Sequence, residues 1–149
     1  MPTLLLVHAA ATTFMAGLIW FVQVVHYPLG ARVGDAAFVA YQSAHMARTT
    51  WVVGPPMLVE AATVVLLLGA RPTGVPAWAT WAGAGLLAAI WTSTMFLQVP
   101  AHQTLLSGLD PDAVRRLVGG NWVRTVGWTL RAVLAFAMIA WVGGAPSAR

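Results

Sequence analysis

The sequence contains no cysteine and no lysine, and charged side chains make up only 8% of its 149 residues. Without cysteine there is no disulfide framework and no thiolate metal site, so any metal must be bound by histidine, carboxylate or amide groups. A soluble domain needs roughly a quarter of its residues charged to keep its surface in water. The arginines are spread along the chain, whereas a nucleic-acid surface would show a basic cluster. A soluble protein and a nucleic-acid partner are therefore both disfavoured.

Hydrophobic residues make up 59% of the chain and concentrate in four stretches, at about residues 4–27, 50–69, 77–100 and 121–143. Each is close to the ~20 residues that cross a hydrocarbon core. We expect the first stretch to be retained rather than cleaved as a signal peptide, because no basic segment precedes its apolar run. We therefore expect an all-α fold: a polytopic membrane protein of one domain, residues 1–149, whose four transmembrane helices form a bundle. The expected location is a bacterial inner membrane.

Turn signals divide this bundle into two helical hairpins, residues 1–70 and 77–149. Gly34-Asp35 and the Asp-Pro-Asp run at residues 110–112 are typical of turns that open helices, and residues 71–76 form a short link. Helix 2 should run from about Ala36 to Leu68. Its Pro55-Pro56 pair is expected to kink the helix or break it locally.

An internal repeat relates the two hairpins. At a constant offset of 76 residues, His26 matches His102, His45 matches Asn121, Arg48 matches Arg124 and Thr49 matches Thr125. Gln23 and Gln98 match with a one-residue slip. Two helices per repeat keep both copies in the same orientation, so a duplication would place a pseudo-twofold axis along the membrane normal.

Antiparallel pairing within each hairpin predicts where these polar residues meet. It places His26 opposite His45 and His102 opposite Asn121, with Gln23 opposite Arg48 and Gln98 opposite Arg124 about one turn deeper. Lipid penalises such groups, so we expect them inside the bundle. Two alternatives stay open: the His and Arg side chains lie in the headgroup region, or Asn121 and Arg124 join helices by hydrogen bonds.

The predicted ring suggests two chemistries. The imidazoles of His26, His45 and His102 are a credible ligand set for iron, copper or, less well, zinc, with an amide oxygen such as that of Asn121 as a further ligand. The arginines suggest an anionic group held by charge-assisted hydrogen bonds. A haem would use both, with histidine as the axial ligand and arginine on the propionates.

A second polar level is predicted toward the chain termini, where His8 and Glu60 fall at similar depth and should touch. A histidine beside a carboxylate relays protons or orients a metal-bound imidazole. Alternatively Glu60 is neutral, or it forms a buried ion pair with Arg131.

Helix 1 resembles the first helix of HemJ-type protoporphyrinogen oxidases and related CopD-like small membrane proteins. His8 precedes a Met-Ala-Gly-Leu-Ile-Trp run at residues 15–20, and a Gly-Pro-Pro-Met segment follows in helix 2 at residues 54–57. This resemblance implies that His8 is a haem ligand. In size and topology the chain is also similar to the anthrone-oxygenase-like membrane proteins.

Two functions follow from these features. We prefer a membrane oxidoreductase or oxygenase that uses a His-ligated metal or haem on a lipophilic small molecule, with catalytic roles for His26, His45, His102 and Glu60. The alternative is a non-catalytic binding, transport or assembly subunit, for which four helices imply a homo-oligomer. Because Arg32, Arg115 and Arg116 flank the hairpin turns, those turns are expected on the cytoplasmic side.

Overall fold

The computed structural model describes residues 2–144, apart from the side chain of Pro2, and this part of the chain is all-helical. The helices are α1 (Thr3–Gly30), α2 (Asp35–Gly69), α3 (Ala77–Leu105) and α4 (Pro111–Gly144). All four are long and apolar enough to cross a membrane. Large apolar side chains cover the outside, such as Trp51, which is 82% exposed, and Phe96, which is 75% exposed. The predicted all-α bundle of four candidate membrane spans is confirmed to this extent.

The helix ends lie close to the predicted turn signals. Asp110 Oδ1 accepts hydrogen bonds from the backbone N–H groups of Asp112 at 2.8 Å and Ala113 at 3.1 Å, which caps the start of α4. Gly34 caps α2, and Gly74 occupies the α2–α3 link with a φ of 92°, a conformation that favours glycine. Helix α2 begins at Asp35, one residue before the predicted start.

Pro55 and Pro56 lie inside α2, which is helical from Asp35 to Gly69. The predicted local break is therefore not observed, and the alternative, a kink at this pair, stays a prediction. The two prolines supply no N–H, so the carbonyl groups of Trp51 and Val52 lose their partners in the helical ladder. At ~1.5 Å per residue, the 35 residues of α2 exceed the ~30 Å of a bilayer core.

Single π-helical turns interrupt α1 and α3 just before a proline. They span Val22–His26 and Thr94–Gln98, and Pro28 and Pro100 each lie two residues after the end of the turn. A proline ring clashes with the carbonyl four residues earlier, and the wider π-turn relieves that clash. The turns begin 72 residues apart, so they do not follow the offset of the side-chain repeat.

The helices pack in cyclic order, so each one contacts its two neighbours and the diagonal pairs do not approach closely. The seams that α4 forms with α3 and with α1 are the most extensive, and the seam between α2 and α3 is the sparsest. Helices α3 and α4 also pack tightly, because a Cβ at Gly127 would lie only 2.7 Å from Ile90 Cγ1. The bundle is therefore closed on one side and loose on the other.

The core alternates between apolar and polar layers. Apolar clusters occur near the hairpin turns around Phe38 and Leu117, at mid-height around Ile90 and Trp128, and near the termini around Leu5. Between them lie a histidine-rich layer and a layer around a buried carboxylate. These polar layers are the candidate sites.

Candidate functional site

Three imidazoles from three helices meet in the layer next to the hairpin turns. His26 Nε2 lies 2.7 Å from His45 Nδ1, and the two rings stack with centroids 4.4 Å apart. The centroids of His45 and His102 are 5.3 Å apart. The predicted meeting of these three histidines is observed. All three side chains are half-buried.

Hydrogen bonds orient the ring of His102. The side-chain amide N–H of Gln42 donates to His102 Nδ1 at 2.9 Å, so Nδ1 is an acceptor and the ring hydrogen lies on Nε2. His102 Nε2 then donates to the hydroxyl oxygen of Tyr27 at 3.2 Å. The hydroxyl hydrogen of Tyr27 remains free to donate to a further group. Tyr27 itself is 7% exposed and faces the interior.

The sequence analysis missed the polar residues that surround the imidazoles. Tyr41 Oη lies 3.4 Å from His26 Nε2, and Thr49 Oγ1 lies 3.1 Å from His45 Nδ1. Tyr41, Gln42 and Thr49 are four before, three before and four after His45, so all share its helix face. That spacing is the signal that identifies them.

A second hydrogen-bonded group joins α1 to α4. Gln23 Oε1 accepts from Asn121 Nδ2 at 2.8 Å, and Gln23 Nε2 donates to the carbonyl of Val118 at 3.2 Å. Arg124 Nη1 donates to Asn121 Oδ1 at 3.1 Å. Asn121 thus bonds Gln23 and Arg124, and the predicted pairing of Asn121 with His102 is wrong. Asn121 therefore fits the alternative in which its side chain joins two helices by hydrogen bonds.

The π-turn explains why Gln23 leaves the histidine side of the bundle. Regular helical spacing predicted that Gln23 and His26 share one face and that Gln23 meets Arg48. The wider turn at Val22–His26 rotates the two residues apart, so His26 faces α2 and Gln23 faces α4. Arg48 is exposed and takes no part in the buried network, so its predicted interior position is wrong.

A cavity of about 160 Å³ lies beside the histidines, where α2 and α3 pack loosely. Its apolar wall includes Met15, Ile19 and Val53. The polar residues that line it are Tyr27, His45, Thr49, Thr50, Thr94, Gln98, His102 and Arg124. Thr50 on α2 and Val99 on α3 line the cavity and are also exposed, so it opens sideways between these two helices.

Two buried side chains on this cavity have unused hydrogen-bonding atoms. Neither amide atom of Gln98, which is 1% exposed, has a hydrogen-bond partner among residues 2–144. Arg124 Nε is likewise buried without a partner in that range. The sequence analysis places Gln98 and Arg124 at the same depth, and both line this cavity. Among the described residues no hydrogen bond joins them. Buried polar atoms without a hydrogen-bond partner are rare in folded proteins, so those of Gln98 and Arg124 need an explanation.

The layer near the termini is a closed ion-pair network. Arg131 Nε and Nη2 donate to Glu60 Oε1 at 3.3 and 3.1 Å, and Arg131 Nη1 donates to the carbonyl of Gly83. Trp128 Nε1 and Thr12 Oγ1 donate to the same carboxylate at 2.8 and 2.7 Å. The expected pairing of Glu60 with Arg131 is observed, and the carboxylate has no oxygen left for a ligand.

His8 makes no hydrogen bond to Glu60 within the described residues, which corrects the predicted pairing. Its Nδ1 lies 2.8 Å from Thr63 Oγ1, it is only 3% exposed, and it does not line the cavity. The cavity is close to the ~150 Å³ that holds one benzene molecule in an engineered protein core. A porphyrin does not fit such a space, so these residues do not suit the haem that the resemblance implies.

The histidine cluster is not a preformed metal site. Within residues 2–144 there is no group of three or more histidine or carboxylate residues arranged to hold a metal ion. The physical reason is that His26 and His45 direct ring nitrogens at each other, while Gln42 and Tyr27 occupy both nitrogens of His102. Asn121 faces α1. Metal binding would require the imidazoles to exchange these hydrogen bonds for ligand bonds.

Comparison with known proteins gives no match to a protein-family model, a curated protein or a solved structure. The resemblance to HemJ-type and CopD-like proteins therefore stays a prediction. The fold and the site define a four-helix bundle with a laterally open internal cavity, and its function has to be inferred from the residues of the site.

The ion-pair layer predicts a strong stability coupling. Glu60→Leu should lower stability by ~3–5 kcal/mol, because it leaves the buried guanidinium of Arg131 without a counter-ion. The double variant Glu60→Leu with Arg131→Met should recover most of that loss. Chromatography of the heated, detergent-solubilised protein measures both. If the stability lost in the double variant equals the sum of the losses in Glu60→Leu alone and Arg131→Met alone, the two residues are not coupled.

Proposed function

We propose that this chain is an integral membrane protein that binds a lipophilic small molecule inside its helical bundle. One observation supports the proposal: the cavity of about 160 Å³ that opens sideways between α2 and α3. The four helices are long and apolar enough to cross a membrane, so a sideways opening would face the acyl chains. A lipophilic molecule could then enter from the bilayer without crossing water. The arginine distribution supports an orientation in which the hairpin turns, and with them the polar end of the cavity, lie toward the cytoplasm.

The composition of the cavity matches such a ligand. Met15, Ile19 and Val53 provide an apolar wall, and the other end carries imidazole, phenol, amide and guanidinium groups. Small-molecule sites typically combine a largely apolar surface with a few polar groups that set orientation. The volume holds about one aromatic ring or a short chain, so a longer molecule would extend through the opening into lipid.

Filling the cavity tests this proposal. Val53→Phe should weaken binding of the neutral probe 2-naphthamide by about tenfold or more, because the added ring occupies the ligand space. Fluorescence titration of the protein in phosphatidylcholine nanodiscs measures the affinity. Val65→Phe is the matched control, since Val65 lies on the same helix and is 67% exposed. Equal affinity in wild type and Val53→Phe would contradict the proposal.

A second candidate is a metal-dependent oxidoreductase or oxygenase that acts on the bound molecule. The observation that favours it is a space of about 20 Å³ lined by all three histidines together with Tyr27, Tyr41 and Gln42. One water molecule or ion fits such a space. Iron and copper suit imidazole ligands and redox chemistry, and zinc suits them without redox chemistry.

Metal analysis separates the two candidates. The redox candidate predicts about one equivalent of iron or copper in protein purified without chelators, and loss of that metal in His45→Ala and His102→Ala. His8→Ala is the control, because His8 lies against Thr63 in the other polar layer. Wild-type protein free of iron and copper would exclude the redox candidate and leave the binding proposal standing.

A further inference from the structure

Arg124 is a buried cation without a counter-ion. It is 8% exposed, and the polar side chains that face it, Asn121 and Tyr27, are neutral. Its guanidinium carbon lies 5.3 Å from the ring centroid of Trp128, which adds a weak cation–π contact and no charge. His102 also lies near Arg124, and protonation of its ring would add repulsion. A charge in such surroundings is strongly destabilising unless it is paired.

Arg131, on the same helix α4, is a buried arginine that is paired with a carboxylate. It lies seven residues after Arg124, is 1% exposed, and makes two hydrogen bonds to Glu60. Glu60 is the only carboxylate inside the apolar stretches, and both of its oxygen atoms accept hydrogen bonds, from Arg131, Trp128 and Thr12. Within residues 2–144, no carboxylate of the bundle core remains to neutralise Arg124. A bound anion would supply the missing negative charge.

The cavity supplies both space and further donors beside Arg124. Arg124 lines it with Nε unpartnered, and Gln98 lines it with its whole amide unpartnered within residues 2–144. The free hydroxyl hydrogen of Tyr27 belongs to the same cavity. Arg124, Gln98 and Tyr27 all line this space, so its wall carries a cation, an amide and a hydroxyl, which are groups that bind negatively charged oxygen.

We propose that the cavity binds the carboxylate of a lipophilic acid, with Arg124 as counter-ion and Gln98 and Tyr27 as further hydrogen-bond donors. A planar carboxylate matches a planar guanidinium, and one arginine balances one negative charge. The hydrocarbon part lies along Ile19 and Val53 toward the opening between α2 and α3. This assignment rests on the proposed function, because it specifies the polar head of the same ligand.

The test compares two probes of the same shape. Titrate protein in phosphatidylcholine nanodiscs, at neutral pH, with 2-naphthoate and with its neutral analogue 2-naphthamide. Wild type should bind the naphthoate about tenfold more tightly, because a charge-assisted hydrogen bond is roughly twice as strong as a neutral one. Arg124→Gln should abolish this preference and keep the affinity for naphthamide. Arg48→Gln, which changes an exposed arginine, should keep the preference.

Gln98→Glu is a second test of the carboxylate assignment, and it leaves Arg124 in place. It adds a carboxylate to the cavity wall, so it should lower naphthoate affinity at least tenfold, lower naphthamide affinity less, and raise the unfolding temperature. A wild type that binds both probes equally, or a Gln98→Glu variant that keeps the preference, overturns the carboxylate assignment and leaves the cavity proposal intact. A wild type that binds neither probe overturns both.

Discussion

The amide contact between Gln23 on α1 and Asn121 on α4 makes this bundle one-sided. Gln23 Oε1 and Asn121 Nδ2 are 2.8 Å apart, and the contact closes the most extensive seam between the hairpins. In the predicted repeat the corresponding residues are Gln98 on α3 and His45 on α2. There the helices stay apart, Gln98 has no partner among the described residues, and the cavity fills the gap. A buried amide needs a hydrogen-bond partner. In the seam between α1 and α4, Asn121 is the partner of Gln23. In the seam between α2 and α3 there is room for a ligand group to be the partner of Gln98.

Charge is the second constraint. The core of the bundle holds two buried arginines on one helix and a single carboxylate, and that carboxylate is committed to Arg131. Burial is favourable for an apolar side chain, whereas burial of a guanidinium without a negatively charged partner is very unfavourable. The ion pair of Glu60 with Arg131 therefore serves stability, whereas Arg124 has neutral hydrogen-bond partners and no carboxylate partner within residues 2–144. The same residue type has different roles seven positions apart because only one of the two positions has a carboxylate opposite it.

Much of the fold follows from short-range physics that a sequence shows. Apolar length predicts the four helices, the Asp-Pro-Asp run predicts the cap of α4, and antiparallel pairing predicts the contact of His26 with His45. The predicted pairing of Gln23 with Arg48 is wrong because it assumed regular helical spacing in α1, and the π-turn directs Gln23 toward α4. The unequal seams are also invisible in a sequence, since they depend on how four helices share their contacts.

The central claim is that the gap between α2 and α3 is a ligand site and not a packing defect. An experimental structure of the protein purified with lipids from its native membrane tests this most directly. The account predicts non-protein density in the gap, with its polar end within hydrogen-bonding distance of Arg124 and Gln98. The contradicting result is a closed seam in which Gln98 contacts His45 as Gln23 contacts Asn121, with no space between α2 and α3.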